Sequence, residues 1–450
     1  MRKTFATRCI ARSRRRARAG ASVLALVLAS PVAANEWSGG NGNWFGGGNW
    51  QGGVVPTLGV DANIDAGTAT VAASGAEARS LFVGVSGTGA LEILSNGRAR
   101  VVDGFIGYNA GADGAVSVTG AGAYWTVVSA LNVGMGGTGG LTIANGGTVS
   151  SAGARIGFGG PSFENGNGTV TVTDATWTNT GSLSVGYYGI GGLSIGGGGT
   201  VKSMWGYIGE KAGADGTVSV TGAGAIWDVG SDLQVGGSGT GRLTIANGGM
   251  VTSAAATIGY LTGAKGTVTV TDATWINGGD LTVGDAGGTG KLEILKGGTV
   301  SNTTSYIGYD PGANGTVSVT GAGANWTNNG AIILGGFGAG TLTIADGAAV
   351  KATAVQIAPM PTASGKLTLA GSDGARGVLT TGRIVKGAGG ATLAFDGGIL
   401  QATRNEADFL GNFGPSDVTV AAGGVIFDTA GHDIGVATEL RGIGGLTKEG

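Results

Sequence analysis

His432 is the only histidine in the 450-residue chain, and Asp433 follows it directly in the stretch AGHDIG. A Ser-His-Asp triad would therefore depend on His432 alone, and adjacency to Asp433 does not itself make a triad. The only cysteine, Cys9, lies in the basic N-terminal segment, which leaves no nucleophile for a Cys-His site once that segment is removed. We expect no catalytic residue and no enzyme activity, and we interpret His432 as a solvated turn residue.

One recurring position carries residues that could bind a cation. It holds Asp113, Asn167, Asp215, Lys265 and Asn314 in contexts such as GADG and GAKG. A calcium ligand cannot be replaced by lysine and keep its role, so we interpret this position as a turn residue and expect no metal. With 99 glycines in the chain, GxGxxG strings arise by chance, and no GxxxxGK[ST] phosphate loop is present. The sequence therefore predicts no cofactor.

Tryptophan closes a near-identical phrase five times, and its ring could bind a ligand or fill a core. The five residues are Trp125, Trp177, Trp227, Trp275 and Trp326. As an exposed aromatic strip they would stack on sugar rings. As a core ladder they would stack on one another at every second coil. Glycines just before the tryptophans interrupt the alternation of inward and outward side chains. The sequence therefore does not show whether the tryptophans point into the core or into solvent, and we favour the core.

These tryptophans recur after 52, 50, 48 and 51 residues. Such a period is typical of stacked repeats. Each period divides into a shorter and a longer half, as in 133–155 and 156–184, and both halves open with Val-Gly or Ile-Gly and continue through Leu-x-Ile or Val-x-Val. Eleven such halves, of 23 to 29 residues, cover 83–356. The structural unit is therefore about 25 residues long.

The apolar residues alternate in short pieces between glycine turns, which is typical of half-buried strands and not of disorder. We therefore predict an all-β fold, an elongated right-handed parallel β-helix in which each coil has about three strands. Equivalent strands of successive coils would lie about 4.8 Å apart, so about 16 coils would form a rod of roughly 75 to 80 Å. We predict an N-terminal cap and first coils over 35–82, regular coils over 83–356, and less regular coils over 357–450 that continue beyond Gly450.

Residues 1–34 combine eight basic residues, the apolar run ASVLALVLAS and the segment PVAA. This order is typical of an export signal, and we place its cleavage after Ala34. Removal of the eight basic residues changes the formal charge from -2 to -10, which argues against nucleic acid as a partner. The run is too short to span a membrane as a helix. We expect an exported protein at the outer cell surface, in the outer membrane or released.

The phrases GTVSVTGAGAIW (216–227) and LTIANGGTV (141–149) resemble strand repeats of bacterial autotransporter passengers and of some PEP-CTERM-sorted proteins. The terminal GGLTKEG (444–450) resembles the start of an autotransporter-associated β-strand repeat. The resemblance implies type V secretion and a C-terminal outer-membrane β-barrel outside these 450 residues. It also implies a surface stalk for adhesion or aggregation, whose partner is a host-cell surface, a matrix or a carbohydrate. The alternatives are a carbohydrate-active β-helix enzyme and a passive spacer for a distal module.

Overall fold

The computed structural model describes residues 34–160 and 166–450. Those residues are almost entirely β-structure, with 1% helix, and their parallel strands stack into a β-solenoid of about 16 turns of roughly 25 residues. The predicted all-β solenoid is confirmed. The predicted export signal lies outside the described residues except for Ala34, and within the described residues no helix is long and apolar enough to cross a membrane.

Each coil contributes one strand to each of three sheets, and the first sheet contains the Val-x-Val and Leu-x-Ile segments. Its strands after the first coils are Asp113–Thr119, Thr138–Ala144, Asn167–Thr173, Ile190–Gly196, Asp215–Thr221, Thr240–Ala246, Lys265–Thr271, Thr289–Ile294, Asn314–Thr320, Ala339–Ala345, Ser364–Ser372, Gly390–Asp396, Val418–Val420 and Arg441–Gly442. Neighbours pair in parallel and in constant register, so that Val170 lies between Leu141 and Leu193. A register slip of one residue would turn every apolar side chain outward, which is why the alternation fixes this pairing.

The second sheet contains the repeat tryptophans, and the third sheet follows it after a corner. Second-sheet strands are Thr176–Asn179, Thr200–Ser203, Ile226–Val229, Met250–Ser253, Thr274–Asn277, Thr299–Asn302, Asn325–Asn328, Ala349–Ala352, Val378–Thr381, Gly398–Ala402, Val425–Asp428 and Leu446–Glu449. Third-sheet strands are Ser182–Val185, Trp205–Ile208, Asp232–Val235, Ala255–Ile258, Leu281–Val283, Ser305–Ile307, Ala331–Leu334, Ala354–Ile357, Ile384–Lys386 and Leu410–Gly411. Ala375–Arg376 forms a small antiparallel hairpin with Gly371 and Ser372.

The first coils use longer strands that bend from one sheet into the next. These are Ala62–Val71, Ser74–Ile93, Arg98–Ile106, Tyr124–Val133 and Thr148–Ile156. The short strands Asn35–Glu36 and Asn41–Asn43 pair in parallel with Ala62–Val71, and two 3-10 turns, Gly47–Asn49 and Gln51–Gly53, follow them.

Three tryptophans hold this N-terminal segment together. The ring of Trp50 lies edge-on to Trp37 and to Trp44, at 4.9 and 4.8 Å between centroids. The indole N–H of Trp50 donates to the carbonyl of Trp44 at 2.8 Å. All three rings are buried. The segment therefore covers the first coil with an apolar cluster, and each edge-on contact contributes about 0.5–1.5 kcal/mol beyond the burial of its surface.

The recurring Val-Gly and Ile-Gly dipeptides end the third-sheet strands at a corner that requires glycine. Gly209 has φ +66°, and a Cβ placed there would lie 2.1 Å from the carbonyl oxygen of Thr240 in the next coil. Both the left-handed backbone and this close approach exclude a side chain. At the equivalent corner after Ile357 the chain has Ala358 with φ 48°, a conformation that costs an L-residue about 1–2 kcal/mol.

Candidate functional site

The structure places all five repeat tryptophans in the core. Trp125, Trp177, Trp227, Trp275 and Trp326 each have 0% of their surface exposed. They do not stack directly on one another as the core interpretation expected, because a valine of the intervening coil separates each pair. Trp177, for example, pairs in register with Val149 on one side and with Val201 on the other. The tryptophan ladder is therefore an alternating Trp-Val column and offers no surface to a ligand.

Four of these indoles find their hydrogen-bond acceptor in the preceding coil. The indole N–H groups of Trp177, Trp227 and Trp275 donate to the hydroxyls of Ser151, Ser203 and Ser253, and that of Trp326 donates to Oδ1 of Asn302, at 2.8 to 3.2 Å. Each acceptor stands two residues after the valine that pairs with the tryptophan. At Trp125 the corresponding residue is Val101, which carries no acceptor, and the Trp125 N–H has no hydrogen-bond partner.

Small residues in the shorter coils make room for these indoles. A Cβ at Gly206 would lie 2.8 Å from Cζ2 of Trp227 and 3.0 Å from Cδ1 of Leu233. Gly104 stands in the same relation to Trp125 and Leu131, at 3.2 Å from each. Long coils thus place Trp and Leu where short coils place Val and a small residue. This alternation of volumes explains physically why the sequence repeats every two coils.

The recurring position that holds Asp, Asn or Lys does not lie in a turn, as the sequence had predicted. Asp113, Asn167, Asp215, Lys265 and Asn314 are not turn residues but the first residues of first-sheet strands. Residues of the intervening coils separate them along the stack. Among the described residues no group of three His, Cys, Asp or Glu side chains could hold a metal ion.

His432 lies at the C-terminal end of the described chain. It lines a cavity of about 450 Å³ together with Phe427, Thr429, Asp433 and Lys448. Its backbone N–H donates to the carbonyl of Thr429 at 2.9 Å, which closes a tight turn. The backbone N–H of Asp433 donates to Asn405.

The outward face of the first sheet presents a column of hydroxyls that runs along the solenoid. Successive register partners form this column, in the order Ser117, Thr142, Thr171, Ser194, Ser219, Thr244, Thr269, Glu293, Ser318, Thr343 and Thr368. The side chains stand about 4.8 Å apart, the spacing of neighbouring strands. Ten of these eleven coils therefore present the same short polar group, and the remaining one presents the carboxylate of Glu293.

A different arrangement stands on the outward face of the third sheet, around a tryptophan that is not part of the repeating phrase. Trp205 is 41% exposed, whereas the other eight tryptophans are at most 6% exposed. Met204 beside it is 44% exposed, and Tyr207 is the next outward residue of the same strand. We call Trp205, Tyr207, Glu210, Lys211 and Asp232 the Trp205 patch. Sequence reasoning missed it, although a tryptophan outside the GAxW and DATW phrases was the available signal.

Contacts within the Trp205 patch fix its charged groups. The Glu210 carboxylate accepts from the Ser184 hydroxyl at 2.5 Å and forms a 2.9 Å salt bridge with Lys211. The Lys211 ammonium also lies 5.3 Å from the centroid of the Tyr187 ring, a cation–π contact. Burial alone lowers the pKa of Lys211, but the hydrogen bond and charge of Glu210 outweigh it and raise the pKa above its ordinary value. Lys211 is therefore a charged, oriented donor at neutral pH.

Tyr207 keeps its proton in this setting. Burial raises the pKa of its phenol, and the negative charges of Glu210 and Asp232 raise it further, against the opposing charge of Lys211. The phenol is consequently a neutral hydrogen-bonding group at physiological pH. An indole, a phenol, two carboxylates and an ammonium thus share one surface.

In comparisons with known proteins, no family model, curated protein or solved structure matches this chain.

Proposed function

We propose that the protein is a surface-displayed β-solenoid stalk, the passenger region of a bacterial autotransporter, acting in adhesion or aggregation. The observation that carries this proposal is the repetition of one outward hydroxyl group in ten of eleven successive coils, from Ser117 to Thr368. The predicted export signal at 1–34 and the resemblance of 216–227 to passenger repeats support it. Its partner would be a host-cell surface, a matrix or a carbohydrate.

The mechanism is multivalent contact. A single serine or threonine hydroxyl binds weakly, because in solution it exchanges one hydrogen bond to water for another. Identical hydroxyls about 4.8 Å apart act on the same partner at high effective concentration, so weak contacts combine into avidity. Short Ser and Thr side chains also lose little rotamer entropy when they bind. A long, regular rod is the shape that this mechanism requires.

Display of the full-length protein on a non-adherent bacterial strain tests the proposal. Cells should attach more strongly to host cells or matrix-coated surfaces, or should sediment faster by clumping, than cells with the empty vector. A variant with Thr142, Thr171, Ser194 and Thr244 changed to valine keeps the strand propensity and removes four hydroxyls of the first-sheet column, three of them in consecutive coils. Attachment and clumping equal to the empty-vector cells would contradict the adhesive role and favour a passive spacer.

A further inference from the structure

The indole of Trp205 is exposed because the residues beside it in the stack are small. Its register partner in the preceding coil is Ser182, and the coil before that has Gly153 at the same position. In the next coil Leu233 pairs with Gly206, which places Asp232 opposite Trp205. One coil further on, Ala255 pairs with Asp232. No bulky neighbour in this column covers the ring faces. An isolated exposed apolar residue needs no explanation, but here Met204, Trp205 and Tyr207 follow one another along the chain, with Trp205 and Tyr207 on the outward face of one strand. We call these three residues the apolar strip.

Polar groups border this strip on the sides that face the neighbouring coils. Asp232 and Gln234 stand on the next coil, with Gln234 directly opposite Tyr207. Ser182 stands on the preceding coil. Glu210 and Lys211 are held in place at the corner by their salt bridge and by Ser184. The strip therefore has hydrogen-bonding groups at its edges, and two of them, Glu210 and Lys211, are held in a fixed position by their contacts.

We propose that the Trp205 patch binds a neutral oligosaccharide whose pyranose ring stacks on the Trp205 indole. A pyranose ring has an apolar C–H face and a rim of hydroxyls that both donate and accept hydrogen bonds. The indole face complements the first, and the carboxylate of Asp232, the amide of Gln234 and the ammonium of Lys211 complement the second. This proposal deepens the adhesive role and rests on it, because it names the carbohydrate class and the residues that bind it.

Charge and area disfavour other ligands. The formal charge of -10 for the chain after residue 34 repels nucleic acids and sulfated glycans. Within the patch Lys211 neutralises Glu210 and leaves only Asp232 without a salt bridge among the described residues. A stable protein partner would need about 800 Å² on this side, whereas the apolar strip is the width of one strand.

Tryptophan fluorescence of the full chain tests the site directly. Because Trp205 alone among nine tryptophans is exposed, acrylamide should quench one component of the emission, and Trp205→Ala should remove that component. Cello-oligosaccharides and N-acetylglucosamine oligomers serve as probes, and at least one should protect Trp205 from quenching. Trp205→Ala should weaken binding of that oligosaccharide by about tenfold or more, measured by calorimetry, while Trp205→Phe keeps part of the affinity.

Ile276→Ala is the matched control, since Ile276 is 44% exposed on the second sheet and its loss should leave binding unchanged. Circular dichroism of Trp205→Ala should match the parent, because the ring is largely outside the core. Three results would overturn the proposal: no binding to any neutral probe, binding that Trp205→Ala leaves intact, or binding to heparin alone. Loss of self-association in Trp205→Ala without glycan binding would overturn it as well. Cell attachment reports the adhesive role separately, so a failed site and a failed stalk function are distinguishable.

Discussion

Removal of the Ser203 hydroxyl should destabilise the coils around Trp227. The indole N–H of Trp227 donates to this hydroxyl at 3.2 Å, and both residues are buried, at 0% and 5% exposure. Ser203→Ala changes the side-chain volume little, so the main effect is a buried donor left without an acceptor. Such an unpaired group costs about 1–3 kcal/mol, more than the hydrogen bond itself contributes.

Hydrogen exchange is the appropriate assay, because a long repeat array does not unfold as one two-state unit. A loss of about 1–3 kcal/mol should accelerate exchange about five- to 150-fold for amides that exchange through opening of these coils. The peptides to follow contain Ile226–Val229 and Asp232–Val235. Ser194→Ala is the matched control, since Ser194 belongs to the same coil but lies exposed on the first sheet. Equal exchange in the two variants would refute the reasoning.

The chain also contains the reverse experiment. Trp125 already has an unpaired N–H, and Val101 occupies the position that supplies the acceptor in later coils. Val101→Thr adds a hydroxyl of nearly the same shape, and its hydrogen bond to Trp125 should offset the burial of that hydroxyl. Val118→Thr makes the same change between Ile93 and Ile143, where neither neighbouring side chain is a donor, and should cost about 1–3 kcal/mol. If Val101→Thr lowered the free energy of unfolding more than Val118→Thr, the residue at position 101 would not act as the hydrogen-bond acceptor of Trp125.

Three further predictions concern close packing, strain and a carboxylate that accepts hydrogen bonds from the backbone. Gly206→Ala should destabilise the protein by about 1–3 kcal/mol, and the same change in a Trp227→Leu background should cost less, because most of the steric conflict is with the indole. Ala358→Gly should stabilise the protein by about 0.5–1 kcal/mol in thermal unfolding, since it relieves a left-handed residue at some cost in chain entropy. Asp65→Ala should accelerate exchange at Val85, because its carboxylate accepts three successive backbone N–H groups there, at 2.6 to 2.8 Å.

Each of these predictions has a result that contradicts it. Additive effects of the Gly206 and Trp227 changes would mean that the two residues do not compete for space. If Ala358→Gly unfolded at the same temperature as the parent or at a lower one, the positive φ of Ala358 would not be a source of strain. Asp65→Asn, which keeps the shape and an acceptor oxygen but loses the charge, serves as the control for Asp65→Ala, and exchange at Val85 as slow in Asp65→Ala as in the parent would contradict the role of the carboxylate.

The sequence alone determined the architecture. The alternation of apolar residues, the Val-Gly and Ile-Gly corners and the unit of about 25 residues recur in most coils, so one register satisfies all coils at once. The direction of the tryptophans, which the sequence left open, did not affect that result, because the fold depends on the average pattern of many copies and not on any single residue.

Only the tertiary structure decided what each tryptophan does. The turns before the tryptophans contain residues with positive φ, Asp174 at 48° in one version and Gly222 at 102° in the other. Such residues break the simple alternation of sides along the chain, so parity counted from the sequence does not show which way Trp177 or Trp227 points. The acceptors of the four paired indoles come from another coil, 22 to 26 residues away in the chain. The valine between successive tryptophans is likewise recognised only from the register of the stacked coils.

The exposure of the Trp205 patch was likewise decided by the tertiary structure and not by the sequence. Its sequence signal is the one tryptophan of the regular coils over 83–356 that stands outside the repeating phrase, and nothing local marks that residue as exposed. Exposure follows from the short side chains that the stack places on either side of it, Ser182 in the preceding coil and Asp232 in the next, with Ala255 one coil further on. A repeat therefore reveals the pattern that all coils share, whereas a binding surface arises where neighbouring coils differ. The second kind of information exists only once the coils are stacked.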